Sequence, residues 1–449
     1  MSDSLVFVCW FVALGLIVLR YLWGRPTAGL LLCYWAQLAL NHLFGHLCYT
    51  LSDAADAYIA RSRVGFEVTG YAVVGLIAGV LAHDLVTWLQ SPTGLRTRAG
   101  PPLTPVQLAR LNRLGGFTLG FGVFCYALGL TGVYRLLPSS TAVFSASSQL
   151  FFAGLCMKWW ALREIGRWRE AWLWAGTSLL YPFVTTLVGG FIGFGVTGLM
   201  ILGCFVAPAV RGRWAWITLS PVIVYLGLSV WVTYAATRTE LREQIKVGVA
   251  FSARFNVLYD GMVNRWTWID LNDPPQLLNL ERLNQNILIG DSVRFLETGQ
   301  GLPGYGETFE DAVIALVPRI LWPDKPAFGG GGNLVSRYTG VQFAEGTAVG
   351  IGQVMELYVN FGRPAVLAGF FLMGVLVTHL DGRAMVGLRL GLGAKFLFAF
   401  CLGHTALNVI GCFSETLPAL IGVGVLVAIT LQLFKVGGQL QISREYGPR

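Results

Sequence analysis

The strongest constraint on this chain is a repetition of apolar windows about twenty residues long, interrupted by one long polar stretch. Wound as a helix, a window of that length matches the hydrocarbon thickness of a bilayer. Backbone groups in hydrocarbon have no water to bond, so such windows must close their hydrogen bonds internally. Eleven windows read as spans, near 4–20, 27–49, 65–88, 116–137, 142–161, 171–188, 190–209, 214–235, 363–380, 393–412 and 416–435. Only Gly189-Gly190 divides the pair covering 171–209. The polar stretch, Ala236 to Phe361, separates eight spans from three. The expected fold is an all-α integral membrane protein: spans one to eight in 1–235, a large loop in 236–362, and spans nine to eleven with a tail in 363–449.

Charge supports this division. Only 12% of the 449 residues are charged, about half the usual share of a soluble domain. Residues 236–362 hold ten Lys/Arg against fourteen Asp/Glu, a net −4, and the remainder holds twenty-two against ten, a net +12. The excess of +8 therefore belongs to short loops and does not describe a nucleic-acid binder. Basic clusters follow alternate spans: Arg20 and Arg25; Arg96, Arg98, Arg110 and Arg113; Arg163, Arg167 and Arg169; Arg211 and Arg213; Arg383, Arg389 and Lys395; and Lys435, Arg444 and Arg449. The intervening short loops hold only Arg61, Arg63 and Arg135. Clusters sharing one face mark that face as cytoplasmic, which places the N-terminus and the long loop outside. The first apolar run, Leu5 to Leu19, follows Asp3 rather than a basic segment, unlike a cleavable signal peptide. The eight cysteines all fall in apolar segments or at their ends and read as small packing residues.

Several polar side chains fall within the spans. His42 and His46 lie four apart, on one helical face. Imidazoles at that spacing can ligate a metal, but no third ligand lies nearby in sequence, and a polar helix–helix contact or a cleft lining is the preferred reading. Glu67, His404 and Asn408 are expected at the same cleft. Trp159, Trp160 and Trp214, at span ends, read as interfacial anchors.

In the long loop, span eight is expected to continue as a helix carrying Arg238, Arg242 and Lys246 on one face, with Arg254 following. Like charges at that spacing repel by a few tenths of a kcal/mol per pair. Attraction to anionic headgroups accounts for the pattern, as does a held anion. Trp266, Trp268, Asp270 and Asp273 combine aromatic faces with carboxylates, which suits either sugar binding or simple packing. A second helical run covers about 277–296 and carries Arg282 and Arg294. Thr308 with Asp311 three residues on is a capping-box signature, followed by an apolar stripe of Phe309, Val313, Leu316 and Val317. Pro318 ends that helix, and the Trp322 to Pro326 turn presents Arg319 and Lys325 rigidly. Gly329 to Gly332 lacks the Gly-Lys-Ser/Thr ending of a nucleotide loop and reads as a hinge, with Arg337-Tyr338 and Glu345 after it. Thr347 to Asn360 reads as a short helix delivering Glu356, Tyr358 and Asn360 to the turn before span nine.

Three features together resemble the Wzy-like oligosaccharide repeat-unit polymerases of O-antigen and exopolysaccharide assembly. These are the single large extracytoplasmic loop before the last few helices, the sequence Val317-Pro-Arg-Ile-Leu-Trp-Pro-Asp-Lys-Pro326, and Glu356-x-Tyr-x-Asn-Phe-Gly362 entering a helix. The resemblance implies a GT-C-like membrane glycosyltransferase of the bacterial inner membrane. Such an enzyme uses no metal and no cofactor, and it passes a glycan from a polyprenyl (undecaprenyl) diphosphate to a lipid-linked repeat unit. Membrane lipids, a flippase and a chain-length regulator are its implied partners. A ligase joining the glycan to another acceptor shares this architecture, whereas a flippase for the lipid-linked glycan would need paired broken helices and midplane acids. Guanidinium pairs bidentately with phosphate oxygens, so Arg254 and Arg319 are the expected diphosphate ligands, Arg242, Arg294, Lys325 and Arg337 supporting them. Glu356 is the expected base for the acceptor hydroxyl, beside Tyr358, Asn360 and His404.

Overall fold

A computed structural model describes the chain except residues 53–55, 91–101, 131–142, 144–145, 210–212, 320, 323, 327–330, 344–346, 348 and 447–449, and except side chains at 57, 209, 213–219, 331 and 437–446. Among the described residues the regular elements are all helical. Seven helical stretches are long and apolar enough to cross a membrane: Asp3–Leu22, Tyr58–Gln90, Pro105–Leu130, Trp168–Gly189, Ser220–Val247, Gly352–Arg389 and Phe413–Val436.

The first part of the chain forms α1 (Asp3–Leu22), α2 (Leu30–Leu38), α3 (Phe44–Thr50), α4 (Asp56–Gln90), α5 (Pro105–Leu130), α6 (Ser147–Glu164), α7 (Trp168–Thr177), α8 (Tyr181–Gly189), α9 (Ile192–Val206) and α10 (Arg213–Val247). The polar stretch contributes short helices α11 (Phe251–Tyr259), α12 (Pro274–Leu280), α13 (Asn286–Glu297), α14 (Glu307–Ala315) and α15 (Gly331–Thr339). Three helices close the chain: α16 (Gly352–Arg389), α17 (Gly393–Ala406) and α18 (Phe413–Tyr446).

The bundle is centred on α16, which packs along α4 and against α2 and α17. Small residues allow the close approach that membrane helices need in place of a hydrophobic driving force. A Cβ on Gly374 of α16 would lie 2.7 Å from the Leu76 carbonyl oxygen of α4. The Asp381 carboxylate, buried on α16, reaches the start of α2. It accepts from Ala28 N at 2.8 Å, Leu30 N at 2.9 Å and the Thr27 hydroxyl at 2.7 Å. Free N–H groups at a helix start require such acceptors, and here a distant helix supplies them.

Span two is not one helix, contrary to the sequence expectation. A π-turn at Ala39–Leu43 joins α2 to α3, and the Asn41 carbonyl there accepts from Gln285 N at 2.9 Å. This contact begins the docking of the polar stretch onto the bundle. Asn286 Nδ2 donates to the His42 carbonyl at 2.7 Å, and the Thr69 hydroxyl donates to Asn286 Oδ1 at 2.9 Å. His42 Nδ1 lies 3.1 Å from Asn286 Oδ1, and His46 Nδ1 lies 2.8 Å from the Ser62 hydroxyl. Both imidazoles thus serve polar contacts between elements, and among the described residues no group of three or more metal-ligating side chains occurs.

Other sequence expectations meet the structure with mixed outcomes. The Gly189-Gly190 break is a tight turn with Gly190 at φ 69°, and α8 and α9 pack as a hairpin. Span eight does run on as a helix, to Val247. The helix before span nine is present but begins at Gly352. Span ten is shorter than expected, since α17 ends at Ala406 and Asn408 lies in the following turn. Trp159 and Trp160 are buried rather than interfacial. The capping box does not form, because α14 starts at Glu307 behind Gly306, and Thr308 is a buried second-position residue. Gly331 and Gly332 open α15. Gly329, Gly330, Glu345, Gly100 and the basic positions Arg96, Arg98, Arg135, Arg211 and Arg449 lie outside the described residues, as do the side chains of Arg213, Trp214 and Arg444.

Candidate functional site

Chemistry-bearing side chains collect in two places, a cradle around the first arm of α16 and a rim where α10 leaves the apolar bundle. The cradle exists because α16 breaks. Gly362 adopts φ 72° and ψ −166°, values a residue with a Cβ avoids, and Pro364 has no N–H to carry the ladder across. Residues 352–361 therefore form a separate arm, buried from Gly352 through Asn360.

Asn360 fastens that arm to the preceding loop. Its Nδ2 donates to the Thr308 hydroxyl at 2.8 Å and to the Glu356 carbonyl at 2.7 Å, while its Oδ1 accepts from Gly306 N at 2.9 Å. Glu356 is 0% exposed. Its Oε2 accepts from Phe413 N, the first residue of α18, at 2.8 Å, the Thr308 hydroxyl acts on the carboxylate, and its Oε1 has no well-aligned hydrogen bond among the described residues. One oxygen thus caps a helix, and the other is left to hold or take a proton. The Tyr358 hydroxyl donates to Glu297 Oε1 at 3.3 Å, and Arg363 Nη1 donates to the same oxygen at 3.0 Å. Arg363 also lies 3.7 Å from Glu67, which in turn holds the Met1 ammonium at 3.1 Å.

On the other side of the arm, Arg337 Nη1 donates to Glu307 Oε1 at 2.8 Å, a bond that raises the guanidinium above its ordinary range. Tyr338 beside it is 1% exposed with no partner for its hydroxyl among the described residues, and burial raises its phenol. The Pro318 to Pro326 motif closes on itself. Lys325 Nζ donates to the carbonyls of Ala315 and Val317 at 2.9 and 2.8 Å, satisfying the end of α14, and Arg319 Nη1 donates to the Lys325 carbonyl at 2.9 Å.

The rim is different in kind. Tyr234 of α10 donates its hydroxyl to the Gly190 carbonyl at 2.6 Å, fixing the tip of the α8–α9 hairpin against α10. Next in the tip, Phe191 lies 4.3 Å (ring centroid) from the Arg242 guanidinium and 5.8 Å from that of Arg238, within cation–π range. The charges of Arg282 and Arg242 both act on Arg238. α11, which carries Arg254, packs against α10 and α8. Among the described residues, the Nε atoms of Arg238 and Arg254 are buried without a hydrogen-bond partner. Within the described residues none of these four arginines has a carboxylate within ion-pair distance, whereas the nearby Arg265 pairs with Asp260 at 2.7 Å and Glu240 at 3.7 Å.

The expected site residues thus divide. Glu356, Tyr358, Asn360 and Arg337 gather in the cradle, with Lys325 and Arg319 in the turn after α14. Arg242 and Arg254 belong to the rim. Arg254 and Arg319 do not share a neighbourhood, since α14 packs against α16 and α18 while α11 packs against α8 and α10. Arg294 is exposed on α13. His404 is enclosed in the bundle, its ring edge-on to Phe152 at 6.1 Å and Phe400 at 6.4 Å, with Nδ1 unpartnered. In the Trp266 to Asp273 stretch, Trp268 stacks on Tyr225 at 5.8 Å and Asp270 and Asp273 bond within the loop, an arrangement that favours packing. Sequence reasoning overlooked Glu297, Arg363, Tyr305 and Phe191. Phe191 carried one signal, its place directly after the glycine pair.

No protein-family model, curated protein or solved structure matches this chain.

Proposed function

We propose that this protein is a membrane glycosyltransferase that moves a glycan from a polyprenyl diphosphate carrier to a lipid-linked repeat unit, a polysaccharide polymerase of the Wzy-like kind. The observation that carries the proposal is the rim: Arg238 and Arg242 face one ring at the end of an apolar helix, Arg282 acts on Arg238, Arg254 lies on the adjoining α11, and among the described residues none of the four has a carboxylate within ion-pair distance, although Glu281 acts on Arg282. Uncompensated guanidinium groups beside a bilayer suit a lipid-borne diphosphate. They bind its oxygens bidentately and stabilise the charge that grows as the diphosphate leaves. The leaving group is already activated, so the transfer needs neither nucleotide nor metal. Glu356, with one oxygen lacking a well-aligned hydrogen bond among the described residues, is the candidate base for the acceptor hydroxyl.

In this reading α2–α3, α6, α9 and α17 join the seven longer stretches to give eleven spans in a GT-C-like arrangement. The segment 236–362 lies outside the cytoplasm of a bacterial inner membrane, where a flippase would deliver substrate and a chain-length regulator would attend the product. A cysteine introduced at Asn272 should react with an impermeant thiol reagent in intact cells; protection there would overturn the orientation. The decisive assay incubates purified protein with one defined lipid-linked repeat unit in EDTA, without ATP or nucleotide sugar. A ladder of longer lipid-linked products is expected. Unchanged substrate, or a ladder that needs a specific metal, would sink the proposal.

A further inference from the structure

Two cavities meet at Pro303 and Tyr305. One, of about 460 Å³, is lined by Pro303, Tyr305, Glu307, Arg337 and Tyr338 among others. The second, of about 430 Å³, is lined by Pro303, Tyr305, Glu297, Tyr358 and Asn360 among others. Each volume falls within the roughly 300–1,000 Å³ of small-molecule sites.

Tyr305 is part of the wall the cavities share, and it is held there against its own preference. Its φ is 45°, the one positive value among the described non-glycine residues, in a region costly for a residue with a Cβ. The loop around it is pinned on both sides: Gly304 N donates to the Val359 carbonyl at 2.9 Å, and Gly306 N donates to Asn360 at 2.9 Å. The residue is nevertheless 76% exposed. A loop that fixes an exposed aromatic in a strained backbone is presenting that ring.

The polar chemistry repeats on the two sides. The first cavity has Glu307 paired with Arg337, and beside them the buried Tyr338 hydroxyl, without a partner among the described residues. The second has Glu297 bonded by the Tyr358 hydroxyl, and Arg363, which pairs with Glu297, is not among its lining residues. Because each carboxylate is matched by a guanidinium, an anion gains nothing here and a cation little. A neutral polyhydroxylated ligand fits, since its hydroxyls donate to carboxylates and accept from guanidinium and phenol groups, and its C–H faces stack on an aromatic ring.

We infer that the Tyr305 cleft is a saccharide-binding site in which two consecutive sugar units lie one on each side of the Tyr305 ring. The inference rests on the glycan-transfer reading only for taking that saccharide to be part of a lipid-linked glycan; the cleft chemistry stands on its own residues.

The test uses the full chain in detergent micelles, with methyl glycosides of gluco-, galacto-, manno- and N-acetylgluco-configured mono- and disaccharides as probes in saturation-transfer NMR. At least one disaccharide should bind, and more tightly than its monosaccharide. Tyr305→Gly removes the ring and relieves the backbone, so its unfolding midpoint should hold or rise while saccharide affinity falls roughly tenfold or more. Tyr305→Trp should restore binding. If no glycoside in the panel binds, or if Tyr305→Gly binds as well as the parent, the cleft assignment fails. Glycoside binding without polymer from a lipid-linked repeat would sink the transfer reading alone, and polymer without glycoside binding would sink the cleft alone.

Discussion

The cradle and the rim are both charged, and both border an apolar bundle, yet they manage charge in opposite ways. In the cradle nearly every group is matched: Glu307 with Arg337, Glu297 with Arg363 and Tyr358, and Asn360 with three partners. At the rim the guanidinium groups of Arg238 and Arg242 rest on one phenylalanine ring, and the Arg282 charge also acts on Arg238. Matched polar groups are costly to remove because each leaves a buried partner unsatisfied. Unmatched like charges carry a standing repulsion that an incoming anion relieves. The cradle's charged groups are thus largely matched with one another, whereas those of the rim are not.

The largest expected effect tests Glu356, the fully buried acid of the α16 arm. Glu356→Gln keeps an acceptor for Phe413 N but cannot take a proton, so turnover should fall by about 10²–10⁴-fold, the usual contribution of a general base, with lipid-linked substrate still bound. Full turnover in this variant would reduce Glu356 to a helix cap.

At the rim, Arg238→Gln with Arg242→Gln should weaken polyprenyl-diphosphate binding roughly 100-fold or more. A charge-assisted hydrogen bond contributes about 1.5–3 kcal/mol, and each 1.4 kcal/mol is tenfold. Thermal unfolding should stay level or improve as repulsion is removed. Added salt should weaken binding to the parent protein and affect the double variant less. Equal affinity in parent and double variant would place the anion elsewhere.

In the cradle, Asn360→Ala should act the other way. It strands Gly306 N and removes the amide's bonds to the Thr308 hydroxyl and the Glu356 carbonyl, at a cost of about 2–4 kcal/mol, seen as a lower unfolding midpoint with diphosphate affinity unchanged. An unaltered midpoint would mean that water replaces the amide and the cradle is looser than its bonds suggest. The smallest effect belongs to Lys325→Met, which removes two bonds to the end of α14. A loss of about 1 kcal/mol in stability is expected without a change in diphosphate affinity; a large affinity loss would return Lys325 to the ligand set.

The helical class, the apolar windows, the hairpin turn at Gly189-Gly190, the extension of α10 to Val247 and the break before residue 363 were all legible in the amino-acid order. These are local properties, fixed by hydropathy over about twenty residues and by glycine and proline at particular backbone angles. That order also named most of the side chains that matter, because polar groups are conspicuous in an apolar chain. Their partners were set by how the helices pack. Thr308 and Asp311 carry a capping signature, yet Gly306 begins the helix and Asn360, fifty-two positions on, claims the Thr308 hydroxyl. Asp381 caps α2 from 351 residues away, and Glu356 bonds the start of α18 across 57. Arg254 and Arg319, alike as sequence, fall in different neighbourhoods because α11 packs on the hairpin and α14 on α16 and α18. Periodicity records which way a side chain faces along its own helix; which groups meet it depends on how separate helices pack, and no local pattern carries that.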